Sequence, residues 1–372
     1  MYAETILQTV KDCRFCFMCR HVCSIGNVTL RESNTPRGFA LMIDKSAMKS
    51  EVLADPGFAE AIHECTLCGA CRSHCVSTHE VPAFIRAGRS ELFASGQAPK
   101  SVTDLAAILS STGNLFGEKR KRWEGRKDAN KAASKAEILV YAGAWAAYKT
   151  PEALDACLAI LQKLAIPFAI LSDEGDTGKA LLNLGDAEGS RKNALALVAQ
   201  IKASGARTVV TLCPSDWDAL VSDFPAMGVT LPEGVRALPS ALFYMELLEK
   251  KKLVVKKPRK EALAFIDSDY LRKHHGVVDE VRVLAKALGG GALRELGTNQ
   301  EESYAAGEGS LALPILRPDL QSRLAERAAG RLREAGGVAL CSSPVTKATL
   351  ASLLPAGALR TVDELVLEGM GS

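Results

Sequence analysis

The chain has 372 residues, 47% of them apolar and 24% charged, with a formal net charge of +3. At roughly 100 to 200 residues per domain this is enough for two or three self-sufficient domains, which excludes a small disulfide-stapled module, and the ordinary balance of apolar to charged residues excludes a disordered chain. So small an excess of positive charge makes no case for nucleic acid, and no nucleic-acid partner is expected.

The start Met1-Tyr2-Ala3-Glu4 lacks the basic and apolar regions of a signal peptide, and no uncharged apolar run reaches the 18 residues of a membrane span. The expected location is cytoplasmic, with peripheral attachment to the inner face of the membrane through a partner left open. Eleven cysteines are the outlier of the composition. Their number is odd and eight of them fall in two tight runs, a pattern that points to metal rather than disulfides.

The first run is Cys13-Arg14-Phe15-Cys16-Phe17-Met18-Cys19-Arg20-His21-Val22-Cys23, spaced C-x2-C-x2-C-x3-C. Past it, Thr35-Pro36-Arg37-Gly38 reads as a turn with Pro36 as the first helical residue, and Phe39, Met42 and Ile43 recur at helical spacing. A further helical stretch from about Asp55 to His63 leads into Cys65-Thr66-Leu67-Cys68-Gly69-Ala70-Cys71-Arg72-Ser73-His74-Cys75, which repeats the spacing of the first run. Val81-Pro82 then opens a helix through Ile85, Ala87 and Leu92 that Gly96 ends. No strand alternation precedes residue 100, so residues 1–116 are expected to form an all-helical domain.

Three thiolates at this spacing lie on one loop, where each can ligate a different iron of a [4Fe-4S] cube, and the fourth ligand must come from elsewhere. In two-cluster ferredoxins the fourth Cys of each run reaches across to the other cluster. That precedent assigns Cys13, Cys16, Cys19 and Cys75 to one cluster, and Cys65, Cys68, Cys71 and Cys23 to the other. The crossing would force together two runs with 41 residues between them, close enough for electron exchange. Tetrahedral zinc, the competing reading, usually takes two C-x2-C knuckles rather than two unbroken runs of four. Ser24 and Val76 follow the fourth cysteines where the bacterial ferredoxin pattern has proline, which leaves the ligands untouched. His21 and His74, inside the runs, either hydrogen-bond near cluster sulfur or face solvent.

Residues 117–137, with Lys119-Arg120-Lys121-Arg122, read as a solvated basic linker, and a second basic stretch, 250–261, divides the rest of the chain. Both flanking segments, 138–249 and 262–372, alternate strands with amphipathic helices. In the first, the strand Ile138-Leu139-Val140-Tyr141 precedes a helix capped by Thr150-Pro151, whose Leu154, Cys157, Leu158 and Leu161 form one face. The strand 167–171 comes next, then a helix through Leu195, Val198 and Ile201, a stop at Gly205, and the strand 208–212 that delivers Cys213 to its end. The second segment opens on Leu263-Ala264-Phe265-Ile266. It closes with a helix through Leu324 and Leu332 and the strand Val338-Ala339-Leu340 before Cys341. The expected fold class is therefore multidomain α + α/β: an all-helical two-cluster ferredoxin domain followed by two Rossmann-like α/β repeats, each with a cysteine at a strand end where open α/β sheets place ligands. Gly175-Asp176-Thr177-Gly178-Lys179 lacks the first glycine and the Ser/Thr of a phosphate-binding loop, and Gly289-Gly290-Gly291 does not complete G-x-G-x-x-G, so both read as turns.

The two cysteine runs, Thr35-Pro36-Arg37-Gly38, Glu64-Cys65-Thr66-Leu67-Cys68-Gly69-Ala70-Cys71 and the duplicated α/β region together resemble the iron-sulfur subunits of glycolate oxidase and anaerobic glycerol-3-phosphate dehydrogenase, and the cluster-bearing subunits of heterodisulfide reductase. The resemblance implies a helical domain with two [4Fe-4S] clusters ahead of two Cys-Cys-Gly repeats. It implies also a subunit that relays single electrons between a flavin-bearing dehydrogenase subunit, which holds FAD or FMN, and a quinone or other electron-carrier subunit. A catalytic, heterodisulfide-reductase-like site in the C-terminal repeats is the alternative. The repeats depart from the family at its cysteines: Asp176-Thr177 stands before Gly178, Ala305-Ala306 before Gly307, Gly143-Ala144 replaces Gly-Cys, and Asp269 replaces the Cys before Tyr270. Cys213-Pro214-Ser215-Asp216 and Cys341-Ser342-Ser343-Pro344 keep one cysteine each. One thiol per repeat is too few for a cluster, so Cys213 and Cys341 are expected as small apolar residues at strand ends and Cys157 as core. His274-His275 is expected as an exposed pair, Trp145 and Trp217 as packing or interface residues, and no catalytic acid, base or nucleophile is readable.

Overall fold

The computed structural model describes residues 2–77 and 79–371; Met1, Thr78 and Ser372, which belong to the expected first and last domains, lie outside it. Six helices come first: α1 (Glu4–Lys11), α2 (Ser24–Thr29), α3 (Pro36–Met48), α4 (Pro56–Glu64), α5 (Val81–Ala94) and α6 (Lys100–Thr112). No strand occurs among the described residues before Ile138. Local chemistry sets the helix starts. The Thr35 hydroxyl accepts from the Gly38 amide with Pro36 in the first turn of α3, and the Asp55 carboxylate accepts from the Gly57 and Phe58 amides at the start of α4. Phe39, Ile43, Phe58, Ile62, Phe84 and Leu92 pack into one core. Gly88 lets α5 approach α3, since a Cβ there would lie 2.5 Å from the Ile43 side chain.

Beyond the helical region the chain forms two four-stranded parallel sheets. The first holds β1 (Ile138–Tyr141), β2 (Phe168–Ile170), β3 (Thr208–Thr211) and β4 (Arg236–Pro239), in the order β2-β1-β3-β4. The second holds β5 (Leu263–Ile266), β6 (Leu293–Glu295), β7 (Val338–Cys341) and β8 (Leu359–Thr361), in the order β6-β5-β7-β8. The permutation is the same in both, so the two segments are structural repeats. Within the first sheet Ile138 faces Phe168 on one side and Thr208 on the other. Strands this short and apolar hold together because helices cover them, as parallel sheets require. The helices Pro151–Lys163, Ser240–Glu249, Asp279–Leu288 and Val362–Met370 pack between the sheets, and a single apolar core runs through both repeats. The Tyr244 hydroxyl donates to Asp363 at 2.9 Å across this junction.

Three local readings of the sequence are revised. The helix Ala187–Ser204 buries Ser190, Ala194, Leu197 and Ile201, whereas Leu195 is exposed and Val198 only half-buried. Two rows of helical spacing converge on Ile201, and the sheet accepts the row of smaller residues. The Thr150 hydroxyl makes no hydrogen bond to the helix that begins at Pro151. The basic segment 117–137 is not solvated throughout: Arg122 and Trp123 are buried, with Arg122 paired to Glu174 at 2.7 Å.

The helical region lies against both repeats. Leu313, Leu320 and Leu324 of the second repeat join its core, and α5 packs on the helix Lys179–Leu184 of the first. No helix among the described residues is long and apolar enough to cross a membrane. The second cysteine loop meets the second repeat at Gly309, where a Cβ would stand 2.6 Å from the Thr66 carbonyl oxygen and 2.9 Å from the Cys68 amide nitrogen. Gly309→Ala must push the second cysteine loop away from the repeat. At about 1–3 kcal/mol for overpacking, it is expected to lower the thermal midpoint by several degrees and to reduce bound iron; an unchanged midpoint and iron content would show that this contact is slack.

Candidate iron-sulfur centre

The first cysteine run is the loop between α1 and α2, and the second is the loop between α4 and α5. Both are built alike. Phe15 and Leu67, each the third residue of its run, have φ of 50° and 54°, a left-handed conformation that ordinary side chains rarely adopt. Each loop thus reverses sharply between its first and second cysteine. Strain of this kind persists only where surrounding structure holds it, and it concentrates at ligand sites. Cys23 ends the first loop as the N-cap of α2, with its sulfur accepting from the Gly26 amide at 3.4 Å. Cys65 starts the second, with its sulfur accepting from the Leu67 amide at 3.4 Å.

The thiols meet in two groups. Burial raises the Cys13 thiol, and the neighbouring Cys75 and Cys16 raise it further; burial likewise pushes Cys19 up to about 11, with Cys13 and Cys75 adding to the effect. Burial raises Cys23 well beyond the usual thiol range, with Cys65 and Cys68 next to it, and raises Cys71, with Cys68, Cys23 and Cys65 next to it. Cys13, Cys16, Cys19 and Cys75 therefore share one neighbourhood, and Cys23, Cys65, Cys68 and Cys71 the other. Cys19 adjoins both Cys23 and Cys71, so the two groups abut. The first group is at the surface, with Cys16 exposed, while all four thiols of the second are buried.

Two sets of four thiols with no carboxylate among them suit a soft, thiolate-binding metal centre, and iron-sulfur clusters fit that donor set. Thiols held neutral by burial must lose protons on metal uptake, so metal binding and folding are coupled at this site. Positive charge and hydrogen bonds stand ready around the inner group. Buried Arg89 donates to the carbonyls of Ile62, Cys65 and Asn183 at 3.0, 2.7 and 2.7 Å, tying the second loop to the first repeat. Lys273, also buried, pairs with Asp269 at 2.6 Å.

The histidines divide differently from expectation. His21 and His74 meet edge to face with centroids 4.4 Å apart, and His74 also bonds Glu302 of the second repeat at 2.5 Å. His274 and His275 are not an exposed pair. His274 contacts the Leu67 carbonyl at 3.0 Å and is pushed down to about 3 by burial, which keeps it neutral, while His275 bonds Asp218 at 2.7 Å and packs at a tilt against Trp217. The segment Asp269–His274 is a π-helix, whose wider turn brings consecutive residues closer to one side than an α-helix or strand does.

At the switch point of each sheet, between the carboxyl ends of β1 and β3 and of β5 and β7, open α/β folds place their ligands. In this chain both places are filled from within. Glu174 accepts from the Ala142 and Gly143 amides at 2.8 and 2.9 Å and from Arg122, and the Asp216 carboxylate accepts from Thr177 at 3.1 Å beside Gly143 and Cys213. In the second repeat Glu308 accepts from the Ser268 hydroxyl at 2.8 Å and the Asp269 amide at 2.7 Å, near Cys341. Cys157, Cys213 and Cys341 are all buried. Lys179, from the stretch that loosely mimics a phosphate loop, is sandwiched between Asp218 and Asp223 and has no free charge to offer. Glu174, Glu308 and Arg122 escape sequence reasoning because no local motif marks them. Trp145 and Trp217 are buried, which takes the packing side of the two roles expected for them.

Residues 9–78 match the family model of the 4Fe-4S dicluster domain. Over 276 residues the chain is 27% identical to the D subunit of the dihydromethanophenazine:CoB--CoM heterodisulfide reductase of Methanosarcina acetivorans, covering 72% of this chain and 67% of that protein. It is 25% identical over 287 residues to the EtfAB:quinone oxidoreductase of Syntrophomonas wolfei and 24% identical over 266 residues to the probable iron-sulfur-binding oxidoreductase FadF of Bacillus subtilis. These matches cover 70% and 67% of this chain but only 38% and 37% of the two longer relatives. The chain is thus an iron-sulfur protein of the oxidoreductase class with an N-terminal 4Fe-4S dicluster domain. It is homologous to the heterodisulfide reductase D subunit and to the iron-sulfur oxidoreductases just named.

Asp216 gives a measurable pH effect. Burial pushes its carboxyl up to about 7, with Asp176 and Glu174 adding to the rise and Arg122 and Thr177 opposing it. An unfolded Asp titrates near 3.9, so between about pH 4 and 7 the folded chain holds a proton that the unfolded chain releases. Stability contributed by this group is then present below that window and lost as pH rises through it. Asp216→Asn removes the effect. Its thermal midpoint relative to the parent is expected to climb between about pH 5.5 and 8, by the equivalent of about 1 kcal/mol or more at about 1.4 kcal/mol per pKa unit. A difference that stays constant across the range would show that Asp216 is ionised throughout.

Proposed function

We propose that this chain is the electron-relaying subunit of a multisubunit, flavin-dependent oxidoreductase. Cys13, Cys16, Cys19 and Cys75 would hold one [4Fe-4S] cluster, and Cys23, Cys65, Cys68 and Cys71 the other. When bound, such clusters supply one-electron redox chemistry over a wide range of potentials. The carrying observation is the pair of abutting thiol groups, one open to solvent through Cys16 and the other enclosed. An arrangement that only stabilised a fold would have no use for an exposed ligand loop.

The remaining residues hold and insulate this path. Arg89, Gly309 and His274 fix the inner loop against both repeats, so that the thiols keep their mutual positions. Leu67 and Ala70 close the inner group from water. FAD or FMN belongs in this reading to a partner dehydrogenase subunit, and a quinone or another carrier lies on the opposite side of the relay. The chain would work in the cytoplasm and meet a membrane only through a partner. This reading puts no disulfide-reducing site in the repeats, where Glu174 and Glu308 accept backbone amides at the switch points and Cys213 and Cys341 are buried.

Anaerobically purified protein is expected to hold about eight irons per chain. The double variant Cys213→Ala, Cys341→Ala should keep that iron and its rate of reduction by methyl viologen radical, while Cys16→Ala should lose about half the iron and at least about tenfold in rate. About twelve irons, or loss of reduction in the double variant, would place redox chemistry in the repeats and overturn the proposal.

A further inference from the structure

The surface around the outer thiols carries apolar side chains that the fold does not use. Phe15, Phe17 and Met18 are 48%, 63% and 48% exposed, and Val76, next to Cys75, is 81% exposed. The other nine phenylalanines are buried or half-buried, so the two on this loop stand out in a chain that otherwise spends its aromatic residues inside. They are not loose. Arg37 lies over the Phe17 ring at 4.0 Å and donates to the Phe15 carbonyl at 3.0 Å, which presets the loop. Val76, Arg14 and Arg37 line the same cleft as Cys13, Cys16, Cys19 and Cys75. Apolar surface placed deliberately against water marks a binding face.

Charge selects the occupant. Lys11, Arg14 and Arg20 lie in or next to the loop in sequence, with Asp12 the one acid among them, and Arg14 makes no ion pair among the described residues. Glu32 is shared by Arg20 and Arg37, and Glu80 is taken by Arg72. A second copy of this chain would set one basic rim against another. An acidic rim would complement it, steer encounter and fix orientation.

We propose that the loop 13–20 with Val76 is the docking face for an acidic, single-electron carrier protein, which seats an apolar, cofactor-exposing centre on Phe15, Phe17 and Val76 while its carboxylates meet Arg14 and Arg20. This deepens the relay reading and rests on it. The face brings the partner's cofactor to the exposed side of the outer thiol group. One electron passes per encounter, with the carrier oxidised and this chain reduced by one.

The test uses the iron-loaded chain and a reduced, acidic plant-type ferredoxin as probe, whose potential near about −400 mV makes it a strong donor. Stopped-flow reduction of the parent is expected to slow severalfold as salt is raised, since opposite charges are being screened. Arg14→Glu with Val76→Ser should cut the ferredoxin rate about tenfold while leaving iron content and the rate with methyl viologen radical unchanged. Amide hydrogen exchange should slow at residues 13–20 and 76–77 when ferredoxin is added. A ferredoxin rate that is flat or rises with salt, or protection confined to other segments, overturns the docking face even if the double variant assembles poorly. Protection that appears with the chain's own concentration alone assigns the face to self-association and also overturns it. Failure of the parent to accept electrons from methyl viologen radical would instead sink the relay reading, and the docking face with it.

Discussion

Eight thiols converging as two groups of four is the constraint that everything else in this structure serves. Cys75 stands with the first run and Cys23 with the second, so loops separated by 41 residues must be held in register. The inner loop is gripped from outside, by Arg89 toward the first repeat and by Gly309 and His274 of the second. The left-handed residues Phe15 and Leu67 are the local cost of bending each loop around its own three sulfurs.

The repeats have the strand order of open α/β sheets, and the chain's own side chains stand at their switch points. Each sheet has a switch point, and each switch point receives a glutamate whose carboxylate accepts backbone amides, two at Glu174 and one at Glu308. A carboxylate in such a place needs a counter-charge or a proton. Arg122 supplies the first for Glu174, while burial raises Glu308 toward the second. The two repeats share one core, so their rigidity passes directly to the cysteine loops.

Much of this is legible from residue order, and the exceptions have physical causes. The cysteine spacing announces the metal chemistry because four ligands at fixed intervals have few other uses. The caps at Thr35 and Asp55 and the apolar runs of β1, β3, β5 and β7 announce their elements for similarly local reasons. The edge strands β4, β6 and β8 are three or four residues long and carry charged or half-exposed side chains, so no alternation betrays them. Glu174, Glu308 and Arg122 take their places through contacts across tens of residues, which no short motif encodes. His274 and His275 depart from the exposed pair that their spacing suggests because their neighbourhood winds as a π-helix, a geometry that residue spacing does not signal.

The central claim is the exchange of fourth ligands between the runs, and the measurement that tests it most directly is electron paramagnetic resonance of reduced single variants at the two crossing positions. Cys75→Ser is expected to alter the same cluster signal as Cys13→Ser, and Cys23→Ser the same signal as Cys65→Ser. If Cys75→Ser instead altered the signal of the cluster held by Cys65, each run would bind its own cluster unaided, and ligand exchange would not be the reason the two loops are clamped together.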